Sequence, residues 1–156
     1  MLSSRAPKRH GAWVGMSVIA LVVVWGSPSA GQSSSRFVAR LSTVPITVAM
    51  QDAVSGRGTV DAALTGNRLT VTGKFEGLRS PATVARLHFA PKATRGPAVG
   101  DLVVSNGTTG TISGAIDLTP PQLQALHKSA LYIQVHSEKA PEGNLWGWLL
   151  PQETAK

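Results

Sequence analysis

The sequence predicts an all-β fold, an antiparallel β-sandwich interrupted by one short helix near residues 119–127. Three observations carry that prediction. From residue 36 onward apolar side chains recur at every second position, the period of a strand with one buried face. Turn-forming residues separate these runs at the spacing of a many-stranded sandwich. Only one segment breaks the alternation with helical spacing.

The clearest strands are residues 59–64 and 69–75, joined by Thr65-Gly66-Asn67-Arg68. Val60 and Leu64 share one parity, as do Leu69, Val71 and Phe75, and Gly-Asn is a tight-turn dipeptide, so the pair reads as a hairpin. Residues 84–89, 100–105, 111–117, 131–136 and 145–150 are further short strands, with Pro141-Glu142-Gly143-Asn144 as the turn before the last. The interruption is 117–126. Thr119 is the N-cap candidate, Pro120 suits the first helical position, and Gln122 has the spacing of a capping box. Leu123 and Leu126, three apart, share the face to be buried.

The first 30 residues read as a signal peptide. Arg5, Lys8, Arg9 and His10 form a basic start, Ala12 to Trp25 is an uncharged apolar run, and Gly26-Ser27-Pro28-Ser29-Ala30 supplies small residues for cleavage near Ala30. The run is short for a bilayer-spanning helix of about 20 residues. No cysteine follows it, which excludes a lipoprotein anchor. The expectation is a secreted or periplasmic protein with no transmembrane segment in its mature chain. Residues 31–35 form a flexible lead, 36–151 the domain and 152–156 a tail.

Composition excludes several functions. The chain has 15 Lys plus Arg against 8 Asp plus Glu, and no cysteine. Disulfides, thiolate metal sites and thiol nucleophiles are ruled out. Removing 1–30 leaves 12 basic residues against 8 acids, a net +4, and those charges are scattered. A nucleic-acid surface needs a clustered stripe with interleaved aromatics, so no nucleic-acid partner is expected. No Gly-x-Ser-x-Gly elbow, His-Glu-x-x-His helix or phosphate loop occurs, and the carboxylates sit mostly beside turns or strand ends. The chain does not read as an enzyme. Asn106-Gly107-Thr108 matches a glycosylation sequon, but Asn-Gly is also a turn.

Strand parity assembles the candidate site. In 84–89, Ala85, Leu87 and Phe89 share one face, leaving Arg86 and His88 on the other. In 131–136, Leu131, Ile133 and Val135 share one face, leaving Tyr132, Gln134 and His136. If these strands pair, Arg86, His88, Gln134 and His136 converge as a polar cluster. Two readings stay open. One is a hydrogen-bonded cluster that supports structure, favoured by Arg86, whose fixed charge repels a divalent ion. The other is a copper or zinc site at His88 and His136, since imidazole suits both metals and Tyr132 or a water could complete the ligand set. His127 could join only if the helix folds back over the sheet.

The last strand carries Trp146 and Trp148 on one parity, opposite Leu145, Gly147 and Leu149. Both of its faces are bulky. Either a second layer covers the tryptophans, or they form a docking surface together with Tyr132, tryptophan being enriched at interface hot spots.

These residues resemble the chordin-type, or CHRD, domain in order and spacing. Its opening strand and proline match Phe37, Leu41 and Pro45; a Gly-to-Leu strand matches Gly58 to Leu64; Phe-x-Gly-Leu matches Phe75-Glu76-Gly77-Leu78. Ala85 to His88, then Leu118-Thr119 with Gln122 and Leu126, follow in register. The closing signature stands here as Leu131-Tyr132-Ile133-Gln134-Val135-His136-Ser137, then Ala140-Pro141-Glu142-Gly143-Asn144-Leu145-Trp146-Gly147. The resemblance implies an extracytoplasmic β-sandwich of the superoxide dismutase-like or immunoglobulin-like kind, and no reaction. Where the family often has His-x-His, this chain has Arg86-Leu87-His88; the family's Asn, Glu and Arg become Gln134, Asn144 and Trp146. Arg86 is therefore expected to restore the cation lost at Trp146 in a rearranged polar network. The reading is a non-catalytic binding module without a resident cofactor, partnered by another exported or membrane-associated protein. The alternatives are the copper or zinc protein and an accessory subunit of an exported dehydrogenase or electron-transfer complex.

Overall fold

The computed structural model describes residues 34–152. The expected signal peptide, most of the lead and the end of the tail lie outside them. Along the chain come β1 (Ser35–Thr43), a 3-10 turn (Val48–Met50), β2 (Arg57–Thr65), β3 (Arg68–Glu76), β4 (Ala82–Phe89), β5 (Ala98–Val104), β6 (Gly110–Asp117), α1 (Pro120–His127), β7 (Leu131–Ser137), β8 (Ala140–Trp148) and β9 (Leu150–Pro151). The all-β expectation with one helix holds. Strand β1 starts at Ser35, inside the segment expected to be a flexible lead.

The β2–β3 hairpin forms where the alternation places it. Thr65 pairs with Arg68 across a two-residue turn. Gly66 takes a φ of +62°, the left-handed conformation such a turn demands and that glycine adopts without steric cost.

In place of the expected antiparallel β-sandwich the strands form a closed eight-stranded barrel. Hydrogen-bonded neighbours run β2-β3-β6-β5-β4-β7-β8-β1, and β1 pairs back onto β2. Two strands that serve two neighbours each bring about the closure. Over Ser35–Leu41 β1 pairs with β2, and through Ser42 and Thr43 it pairs with β8. Strand β5 pairs with β4 from Ala98 to Leu102, and Val103 and Val104 pair with β6. Such strands turn the corners between two packed sheets. Alternation puts the same residues inside in either architecture, so only the pairing at these corners distinguishes a barrel from a sandwich.

The interior is filled from every side, with Phe37, Leu69, Leu87, Ile112, Ile133 and Leu145 each at most 1% exposed. Phe89 departs from the pattern. It has inward parity, but at the end of β4 it is 45% exposed.

The capped helix forms as predicted. The Gln122 side-chain oxygen accepts the Thr119 N–H at 2.9 Å, half of the reciprocal box. The Leu118 N–H donates to the Asn67 carbonyl at 2.8 Å, tying the helix entry to the hairpin turn. Helix α1 carries the chain from one sheet (β6) to the other (β7), packing Ala125 and Leu126 against the barrel core with Leu123 half-buried beside them. His127 lies 6.0 Å from the Phe37 ring, so the helix does not fold back towards the other histidines. Among the described residues no helix is long and apolar enough to cross a membrane.

Leu126 is completely buried, whereas Leu123 is only partly so. Leu126→Ala is expected to lower the stability in urea by about 2–5 kcal/mol, and Leu123→Ala by clearly less. Equal losses would mean that α1 does not present Leu126 to the core.

Candidate functional site

The candidate site lies on the outer face of the sheet formed by β4, β7 and β8. Alternation along β7 sends Leu131, Ile133 and Val135 into the barrel and Tyr132, Gln134 and His136 outward. Register then sets two rows across this face. Arg86 stands opposite Gln134 and Gln134 opposite Trp146; His88 stands opposite Tyr132 and Tyr132 opposite Trp148.

That outer face is not open. Val44, Val54, Ala90, Tyr132, Ala140 and Trp146 form a second apolar cluster, with Met50, Ala53 and Trp148 packed against it. The segments 44–56 and 90–97 supply its cover. Tyr132 is 0% and Trp146 8% exposed, and Trp148 is half-buried. Their rings interlock: Tyr132 lies 4.8 Å from Trp148 and 6.1 Å from Trp146, and the two indoles meet edge-on at 4.7 Å. Edge-to-face and tilted contacts of this kind are favourable beyond the area they bury. The docking surface expected of Trp146, Trp148 and Tyr132 is thus a packed layer, because the preceding loops fold over it.

Polar bonds stitch that cover down. The Trp148 Nε1–H donates to the Ala90 carbonyl at 3.0 Å, and the Tyr132 hydroxyl accepts the Gly96 N–H at 3.1 Å. Asn144, completely buried, donates to the Ser137 hydroxyl at 2.9 Å and accepts the Ser55 N–H at 3.2 Å. Its carbonyl also accepts the Val44 N–H at 3.0 Å. Buried polar groups persist only when so partnered. The segment 141–144, expected as a turn, lies in the first half of β8; the hairpin turn is Glu138-Lys139. Gly143 has a φ of +127°, and a Cβ there would run into the Gln134 side-chain amide. Its absence lets Gln134, 3% exposed, donate to the Glu142 carbonyl at 2.9 Å.

Of the predicted polar cluster, three members converge. His88 and His136 have ring centroids 6.5 Å apart on the face that also carries Gln134. Arg86 does not join them. Its Nε–H donates to Asp101 at 2.8 Å, on the far side of β4, where both side chains are substantially exposed. The expected replacement of a lost cation therefore fails, and the pair contributes little to stability because water screens it.

The two histidines are held in the same way. The His88 Nδ1 bonds the Gly96 carbonyl at 2.9 Å, and the His136 Nδ1 bonds the Pro141 carbonyl at 2.7 Å. A carbonyl only accepts, so each Nδ1 carries a proton, and in a neutral ring held this way the lone pair lies at Nε2. Both Nε2 atoms are buried and have no hydrogen-bond partner. His88 also stacks on Tyr132, 5.0 Å away at 18°. Burial chiefly pushes its pKa below the ordinary 6.5; the nearby His136, Arg86 and Arg95 push the same way, against the raising effect of the Gly96 bond. Among the described residues no group of three His, Asp, Glu or Cys side chains could hold a metal.

The family model of the CHRD domain matches residues 37–149, well over half of the chain. The chain belongs to the CHRD domain family. No curated protein and no solved structure matches it. The matched span of this CHRD domain runs from the first buried side chain of β1 to the residue after β8, and it contains every residue of the candidate site.

Sequence reasoning missed Asn144 and Ser137 as fasteners; it offered a second layer over the tryptophans as one of two readings, without identifying the loops that form it. The signal for that layer is present: a last strand with bulky residues on both parities needs cover on both faces.

Because the CHRD fold accommodates His88 neutral, an unfolded chain binds its proton more readily. The stability this group contributes is complete above pH 6.5 and falls as the pH drops from there through the lowered folded value. Urea midpoints of the metal-free protein should decline across that acid window, and His88→Asn should make the decline shallower. A slope that the substitution leaves unchanged would assign the acid sensitivity elsewhere.

Proposed function

We propose that this CHRD domain is a non-catalytic binding module whose ligand is a copper or zinc ion held by His88 and His136. One observation carries the reading: two buried Nε2 atoms on neighbouring imidazoles, each without a hydrogen-bond partner. A buried acceptor without a partner forfeits on the order of 1–3 kcal/mol, so a fold that keeps two side by side has a use for them. The second support is the fixing of each Nδ1–H by a backbone carbonyl. Metal-bound histidines are held by this kind of outer bond, which sets the tautomer and the ring orientation.

The remaining predicted residues then have supporting roles. Tyr132 packs along the His88 ring, the tryptophans fill the layer beside it, and Gln134 anchors the Glu142 carbonyl next to the residue that fixes His136. The basic, apolar and small-residue succession of residues 1–30 supports a secreted or periplasmic setting.

The test is the thermal midpoint of the protein with copper, supplied as either oxidation state, and with zinc. An ion at 100 times its dissociation constant adds about 2.7 kcal/mol, a rise of about 8–15 °C for a domain of this size. The rise should reverse with chelator and disappear in His88→Asn and in His136→Asn. A midpoint that none of these ions moves would leave the histidines as structure alone.

A further inference from the structure

We infer that the ion is copper(I), bound two-coordinate between the imidazoles of His88 and His136, in preference to zinc(II) or copper(II). The inference rests on the metal-binding reading above. Donor number is its first support. A zinc site takes four ligands in a tetrahedron, at least three of them from the protein, and among the described residues no such triple exists. Tyr132, the side chain that might have completed one, is fully buried, and its hydroxyl oxygen receives the Gly96 N–H. Copper(I), with a filled d shell, is stable with two nitrogen donors on opposite sides.

Spacing is the second support. With a metal–imidazole bond of about 2.0 Å, and the ring centre about 1.15 Å behind the nitrogen, two rings sharing one ion have centroids about 6.3 Å apart when collinear and about 5.1 Å apart at the tetrahedral angle. The observed separation is 6.5 Å, slightly beyond the collinear value and well beyond the tetrahedral one.

Charge is the third. Arg95 reaches into this neighbourhood, its guanidinium donating to the same Glu142 carbonyl that Gln134 bonds. A fixed cation there opposes a dication twice as strongly as a monocation. Desolvation sharpens the difference, since the cost of burying an ion grows with the square of its charge, and both Nε2 atoms are screened from solvent. A water donating one O–H to each nitrogen would span a similar gap, which binding measurements distinguish from an ion.

The experiment titrates the purified protein without oxygen. Copper(I) is delivered from a chromophoric copper(I) chelator, and silver(I) serves as a redox-inert ion of the same charge and geometry. Zinc(II) and copper(II) are titrated separately. The expected result is one copper(I) or silver(I) per chain, bound at least about 100-fold more tightly than zinc(II) or copper(II). In protein labelled with nitrogen-15 at histidine, silver(I) should shift two Nε2 resonances and leave the Nδ1 protons in place. His136→Asn should weaken copper(I) binding about 100-fold. His88→Asn also removes the Gly96 anchor, so the resonance shifts of the unsubstituted protein provide a readout that does not depend on a variant folding. Tighter zinc(II) or copper(II) binding at the same two histidines would overturn this inference and leave the metal-binding reading standing. Silver(I) binding that moves neither Nε2 resonance would overturn the inference as well. If no ion binds, a bridging water is the occupant and both readings fall.

Discussion

Strand β7 must be covered on both faces, and much of the rest follows from that constraint. Its inward residues Leu131, Ile133 and Val135 are completely buried in the barrel, and outward Tyr132 and Gln134 are nearly as inaccessible. An antiparallel sheet usually leaves one face to water. Here the segments 44–56 and 90–97 fold over the outer face, and the buried Asn144 ties the first of them to the hairpin beneath. Polar atoms inside such a layer must find partners within it. The His88 Nδ1 does so on the Gly96 carbonyl of the cover and the His136 Nδ1 on the Pro141 carbonyl of β8, and the two Nε2 atoms do not.

The outer layer explains why so little of the site is solvent-facing chemistry. Here the perturbed group, His88, is stacked against Tyr132 under a loop. The proposed ion needs no more room than the space between the two rings. The tryptophans gain a purpose in the same picture. They pack on Tyr132, which stacks on His88, and this burial raises the cost of charging that imidazole.

The parts of this architecture that depend on local chemistry were legible in the sequence. The β2–β3 turn follows from Gly66-Asn67, α1 from Thr119, Pro120 and Gln122, and the facing of β4 and β7 from simple parity. What depends on distant pairing was not. Barrel closure is decided where Ser42 meets Trp146 and Val104 meets Ile112, contacts that no local pattern announces. The fate of Arg86 was hidden for the same reason. Parity put it beside Gln134, but its long side chain turns to Asp101 on the next strand. The histidines could be placed on one face, yet their tautomers depend on the Gly96 and Pro141 carbonyls, which the fold alone brings within reach.

Closure also decides how this domain can meet other chains. A sheet that ends in an open strand offers a ladder of unpaired amides, which invites strand addition by a peptide or by another copy of the same protein. The barrel's eight strands are each bonded on both sides, and the outlying β9 is two residues long and ends in Pro151, which has no amide hydrogen to donate. Edge-to-edge growth therefore has little to start from. Among the described residues, the surface that the barrel offers to another chain is one of side chains and loops.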